Sequence, residues 1–294
     1  MHFQLTDDQR ALQQGMRELL AGRFDRDALR AAVERPGTLD RALWRELGEA
    51  GFFALRLPED DGGVGLGAPE AVLLFEEAGR ALLPGPLIAT HLAAGVVKGA
   101  ADGSVVVTQA DGPLIEWYEA ADAVAGEEIT DGATVPVRSV DPLTPLHRLH
   151  EPAAAGDPLV GLFTAAEQLG SAARTTEMAV QYAGEREQFG AAIGSFQAVK
   201  HLCAQMLART ELARAAVYAA AVTGDLADIA SAKLLADEAA VRCARDCLQV
   251  HGGMGFTWEA DVHLHLKRAW VRKERWVSQG ALTELLAELL VEVG

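Results

Sequence analysis

Beyond residue 157 the chain runs in long stretches dominated by alanine and leucine, at 159–184, 196–223 and 225–250, with another from 260 onward. Both residue types lose little on entering a helix, and the apolar positions recur at helical spacing. Long helices joined by short glycine-containing turns can bury their apolar faces only against one another. The spacing therefore predicts an antiparallel helix bundle.

The N-terminal part is helical in shorter pieces. The segment TDDQ, Thr6 to Gln9, reads as a capping box, and Leu12, Met16, Leu19 and Leu20 follow at helical spacing. A second helix is expected over 42–50, with Leu43, Trp44 and Leu47 on one face and Gly51 placed to end it. Residues 58–67, PEDDGGVGLG, read as a loop; a third helix over 69–82 has proline in its first turn and is closed by Pro84 and Pro86. From 102 to about 150 the runs VVVT, PLIEWY and ATVPVRSV predict two to four short strands, with Pro136, Pro142 and Pro145 keeping the later part at an edge or irregular. The expected fold class is mainly α: an N-terminal helical domain over 1–101, a short β middle segment over 102–152 and a C-terminal antiparallel helix bundle over 153–294.

Charge and composition exclude several classes. With 42 acidic against 26 basic side chains the formal charge is −16, so an extended surface for nucleic acid or anionic lipid is not expected. A polyanionic ligand must meet a local cluster of positive charge. No basic segment followed by an apolar core opens the chain, and no apolar run is long enough to span a bilayer, so neither secretion nor membrane insertion is expected and the cytoplasm is the expected location. Cys203, Cys243 and Cys247 are too few for a disulfide framework. Cys243, Cys247 and His251 fall at i, i+4 and i+8, with His263 and His265 nearby. Helix-borne cysteines usually serve as small core residues, so no metal is expected.

The chemistry gathers in two segments, GEREQFGAAIGSFQ at 184–197 and QVHGGMGF at 249–256. Arg186, at a helix end, offers a planar guanidinium suited to a bidentate grip on a pyrophosphate. Gly252, Gly253 and Gly255 remove side chains from a loop, which allows close backbone approach and N–H groups aimed at an anion. Gln197 and Gln249 both donate and accept. Taken alone, a glycine-rich turn is usually just a turn, and an arginine there is an ordinary helix cap. The specific signal is the pair, in this order and at this separation.

These segments, together with LTDDQRALQQGMRELL, LWRELGEAGFFALRLPEDDGGVGLG and LLFEEAGRALLPGP, resemble the acyl-CoA dehydrogenase family, and the likeness spans both helical ends. The resemblance implies an acyl-CoA dehydrogenase-like fold whose β insert is truncated. It also implies FAD as cofactor, held mainly by a neighbouring subunit and contacted by Arg186, Phe189, Gln197, Gln249, Val250, His251, Gly252 and Gly253 of this chain.

In that family a glutamate removes an α proton while hydride passes from the β carbon to the flavin. The usual base lies in a Y-E-G-T segment near the C-terminus; here the corresponding stretch is VRKERWVSQG, with Trp276 in the glutamate's place and Glu274 two residues away. Members that place the base earlier have it where this chain has Val160 and Gly161. A T-E-P-x-A-G-S-D-type loop is absent from 102–150. No catalytic residue is therefore assigned. The combination resembles the small, non-catalytic subunit of heterotetrameric actinobacterial acyl-CoA dehydrogenases acting on steroid and cholesterol side chains. That implies an α2β2 assembly with a full-length catalytic partner that carries most of the acyl-CoA site. A homodimeric flavin oxidase or monooxygenase of related fold, and a flavin-free helical scaffold, are the alternatives.

Overall fold

The computed structural model describes residues 4–126, 129, 132–154 and 156–292. Five helices come first: α1 (Asp7–Arg23), α2 (Arg26–Glu34), α3 (Arg41–Glu49), α4 (Ala68–Ala81) and α5 (Leu87–Ala93). The capping box forms as expected: the Gln9 N–H donates to Thr6 Oγ1 at 3.1 Å and the Thr6 N–H to Gln9 Oε1 at 3.0 Å. Helices α2 and α5 were not foreseen. The first is a short amphipathic segment burying only Leu29. The second lies beyond the two prolines taken as closing α4, and Pro86 caps its start.

Five strands follow, one more than the upper expectation: β1 (Val107–Asp111), β2 (Leu114–Glu116), β3 (Ala123–Ala125), β4 (Thr134–Val137) and β5 (Leu146–Leu149), in the order β3-β1-β2-β5-β4. Two strands lie outside the runs read as β-prone: β5, and Ala123–Ala125, an alanine-valine triplet which pairs parallel with β1. Pro136 sits in β4, at the sheet edge, where its missing N–H costs no ladder bond.

The C-terminal bundle comprises α6 (Pro158–Glu185), α7 (Gln197–Thr223), α8 (Leu226–His251), α9 (Val262–Lys273) and α10 (Gln279–Glu292), with a two-residue hairpin, β6 (Glu187–Gln188) and β7 (Ala191–Ala192), between α6 and α7. The main apolar core draws on residues from Met16 to Leu282, and a small second cluster joins Ala93, Ala100 and Val107. Phe75 of α4 stacks on Phe163 of α6 with ring centroids 4.6 Å apart. Where those helices cross, a Cβ on Gly79 would stand 2.0 Å from Glu167 O and one on Gly170 would stand 1.8 Å from Glu76 O. Only glycine permits that approach. The stretch expected as one terminal helix from 260 is broken between α9 and α10, where Trp276 takes a left-handed φ of 69°.

Candidate functional site

Interhelix contacts set the bundle's direction. Thr176 meets Thr210 and Thr210 meets Cys243, while Gln168 bonds Asp237 and Tyr182 stacks on His251 at 4.1 Å. Helices α6 and α8 thus run parallel with α7 opposed, and the end of α6, the start of α7 and the end of α8 meet at one end of the bundle.

Most of the sequence-derived residues collect at that end. The Arg186 N–H donates to Tyr182 O and its carbonyl accepts from the Ile193 N–H, both at 2.8 Å, which leaves the guanidinium exposed and without a partner among the described residues. Phe189 holds φ at 53° and is 93% exposed, touching only the edge of Phe196, with centroids 6.1 Å apart. Gln197 opens α7 and Gln249 lies near the end of α8; both are exposed. A Cβ on Gly252 or Gly253 would meet nothing within 4 Å, and Gly252 has φ 58°. The backbone there is open to a ligand. His251 is half-buried, its Nδ1–H donating to Cys247 O at 2.8 Å. Val250 departs from the set: its side chain is buried in the core, so only its backbone is available. Phe196 was missed, although the sequence places it beside Gln197.

An unpaired guanidinium, two exposed amides (that of Gln197 with its Oε1 3.3 Å from His201 Nε2), unshielded glycine backbone and the positive end of a 27-residue helix suit an anionic dinucleotide, and so fit the FAD that the resemblance implies.

The other seam of the bundle, between α9 and the sheet, is arranged in the opposite way. Arg268, Arg272 and Arg275, at i, i+4 and i+7, face carboxylates of the insert. Arg268 donates to Asp141 Oδ2 at 2.5 Å, Arg272 to Glu116 Oε1 at 2.6 Å and Arg275 to Glu116 Oε2 at 3.1 Å. Arg272 Nε also stands 2.8 Å from Glu167 of α6. All these side chains are buried. Burial alone pushes the Glu116 carboxyl up, but Arg272 and Arg275 outweigh it and hold it down at about 2. Asp111 goes the other way: burial raises its pKa against the pull of Arg275. The arginine spacing is legible in KRAWVRKER; the carboxylates it meets, more than a hundred residues away, are not.

Both positions where the family places a base lie in this seam. Trp276 is 5% exposed, its N–H donating to Asp111 Oδ2 at 2.7 Å and its indole Nε1–H to Gly156 O at 3.2 Å. The indole lies on Gly161, where a Cβ would come within 2.3 Å of the ring. Val160 is fully buried. Glu274 is the exposed C-cap of α9, off the helix, so its direction is set by the cap and not by helical rotation.

The cysteine and histidine set comes together only in part, with Cys247 Sγ 3.6 Å from His251 Nδ1. Burial raises the Cys243 thiol and pushes Cys247 up to about 12, and His265 is hydrogen-bonded to Ser171 at 2.8 Å. Among the described residues no group of three or more His, Cys, Asp or Glu side chains is placed to hold a metal ion. No helix among them is long and apolar enough to cross a membrane. A largely apolar cavity of about 390 Å³ between α2 and α3 lies apart from both regions.

Comparison with known proteins gives the family. Residues 6–102 match the acyl-CoA dehydrogenase N-terminal domain and residues 162–274 its C-terminal domain. The chain is 34% identical over 290 residues to the acyl-CoA dehydrogenase IpdE2 of Mycobacterium tuberculosis, covering 90% of this chain and 91% of that one. It is also 34% identical to the acyl-CoA dehydrogenase FadE34 of the same organism, covering 86% of this chain but 44% of that one. In fold it matches a chain of the ChsE4-ChsE5 complex from M. tuberculosis, with TM-score 0.86, 24% identity and 99% of each chain covered. A chain of the Tcur3481-Tcur3483 steroid ACAD matches with TM-score 0.85, 23% identity and coverage of 97% and 98%. With both helical ends matched and a relative of such identity aligned along nearly its whole length, this chain belongs to the acyl-CoA dehydrogenase family.

Proposed function

We propose that this chain is the non-catalytic subunit of a mixed acyl-CoA dehydrogenase. Two copies join two copies of a full-length catalytic homologue, FAD lies at each mixed interface, and the acyl-CoA, a steroid side-chain CoA ester, sits mainly on the partner. One observation carries this reading: the Trp276 indole packed on Gly161 occupies the place of either expected base. When bound, FAD accepts hydride from the β carbon of the acyl group. This chain's residues hold the dinucleotide. Arg186 meets the pyrophosphate charge, and Gln197 and Gln249 bond its polar edges. Phe189 covers it with an aromatic face, His251 offers its free ring nitrogen, and the backbone from Val250 to Gly253 approaches it without side-chain obstruction. The two-chain name of the ChsE4-ChsE5 complex and the steroid ACAD description of a second fold neighbour support the mixed assembly and the substrate class.

The test is visible flavin absorbance and molar mass of the chain purified alone and after coexpression with a full-length acyl-CoA dehydrogenase homologue. The expected result is a colourless lone chain that becomes a yellow mixed tetramer with dehydrogenase activity. A yellow, active homodimer without a partner overturns the proposal.

A further inference from the structure

The seam between α9 and the sheet does not balance its charge. Arg268 pairs one to one with Asp141, and Lys233 of α8 pairs one to one with Asp237. Arg272 and Arg275 are then left facing three carboxylates: Glu116 of β2, Glu167 of α6 and Asp111 at the end of β1. None of these five side chains is more than 10% exposed. Two guanidinium charges cannot neutralise three buried carboxylates, and the one left over is relieved by taking up a proton.

Distances pick out which one. Glu116 accepts from Arg272 at 2.6 and 2.8 Å and from Arg275 at 3.1 Å. Glu167 lies 2.8 Å from Arg272 Nε. Asp111 has only Arg275 Nε at 3.5 Å, and the Trp276 N–H at 2.7 Å falls on the same oxygen, Oδ2. Its Oδ1 is buried without a partner among the described residues. The remaining charges that face it do not help: Lys233 is held by Asp237, and Glu274 at the α9 cap, which shares a recess with Asp111, Glu116 and Arg275, adds to the negative side. Asp237 offers no comparable place for a proton, because its Oδ1 accepts from Gln168 at 2.9 Å and its Oδ2 from Lys233. Burial raises the Asp111 pKa, and the pull of Arg275, of the Trp276 N–H and of Lys233 does not cancel the rise.

We propose that Asp111 is a proton-binding site that latches the turn between α9 and α10. With a proton on Oδ1 the seam holds two carboxylates for two arginines, and Oδ2 still accepts from the Trp276 N–H, which keeps the indole on Gly161. When the proton leaves, a third negative charge stands beside Glu116. An ionised Asp111 needs water, and water reaches it when the turn carrying Trp276, whose φ is a left-handed 69°, moves outward. The latch is therefore closed at low pH and released as pH rises through the folded pKa of Asp111. It stands on the seam alone and does not depend on the flavin reading.

An NMR pH titration of the full chain, following the Asp111 carboxyl carbon and the Trp276 backbone amide, tests it. The carboxyl carbon should titrate about one pH unit or more above an exposed aspartate. Exchange protection of the Trp276 amide, corrected for the pH dependence of exchange itself, should fall about tenfold or more above the same midpoint. Glu167→Gln leaves two carboxylates for two arginines and should move the midpoint down. Asp111→Asn, neutral throughout, should keep the Trp276 amide protected with no titration.

A carboxyl carbon that titrates with exposed aspartates overturns the site, as does a Trp276 amide that still titrates in folded Asp111→Asn. An unchanged midpoint in Glu167→Gln overturns the charge count, and a Trp276 amide whose protection ignores the carboxyl overturns the latch. Should either variant fail to fold, the wild-type titration decides both site and latch.

Discussion

Two regions of the bundle handle polar groups in opposite ways. At the end where α6, α7 and α8 meet, Arg186, Gln197 and Gln249 stand in water with open glycine backbone beside them. At the seam between α9 and the sheet, three arginines and their carboxylates are buried, and an indole fills what space remains. Burying charge is tolerated only when it is paired, whereas an exposed unpaired cation costs little. The seam is therefore built for permanence, and the bundle end is left open to solvent. The difference teaches that, on the proposed function, one half of a two-sided site can be kept while the other is converted into core.

The comparison breaks most directly at Arg272. Arg272→Ala leaves Glu167 buried without its cation and Glu116 with Arg275 alone, and should cost about 3–5 kcal/mol in urea or thermal unfolding. Unchanged stability would mean that the seam is hydrated and not sealed. Gly161→Val drives a side chain into the Trp276 ring and should cost about 1–3 kcal/mol; a neutral outcome would show that the indole is free to leave.

Acid sharpens the same contrast. The Glu116 carboxyl is held at about 2 against an ordinary 4.5, so the stability it contributes is whole above about pH 4.5 and is lost as pH falls toward 2. Asp111, with its pKa raised, has the opposite sign and favours folding at low pH, losing that contribution as pH rises through its folded pKa. Glu116→Gln should flatten the acid limb of a stability-against-pH curve, while Arg186→Ala should leave the curve in place. The smallest expected change in stability is that of Arg186→Ala itself, within about 0.5 kcal/mol of wild type. In the mixed complex the same variant should lose flavin absorbance, and Glu274→Ala should retain it.

Legibility followed the range of the interactions involved. The capping box, the long helices and the edge position of Pro136 follow from local propensity and periodicity, and the structure has them. Arg186 and Gln249 stand out in the sequence because contiguous segments carry them, and the structure leaves both exposed at one end of the bundle. Helix α5 was hidden because prolines on either side of Gly85 read as a stop, when the second begins a new helix. Strand β3 was hidden because its pairing with β1 is not encoded in its own three residues. The seam was hidden for the same reason: Glu116 and Arg272 are 156 residues apart, and neither segment names the other. Val250 was taken with its neighbours as part of a motif, but on a helix it points away from Gln249 and into the core.

The fit of Trp276 over Gly161 also bears on reversibility. Replacing Trp276 by glutamate would put a carboxylate into the hole left by an indole, beside a raised-pKa Asp111 and with no cation freed to meet it. Introducing glutamate at Gly161 would collide with the ring. Each route to a carboxylate at the positions where the family places its base passes through a less stable chain unless both positions change together. On the proposed function the pair acts as a ratchet: packing keeps a carboxylate out of both positions, so a division of labour between unlike subunits is hard to undo one substitution at a time.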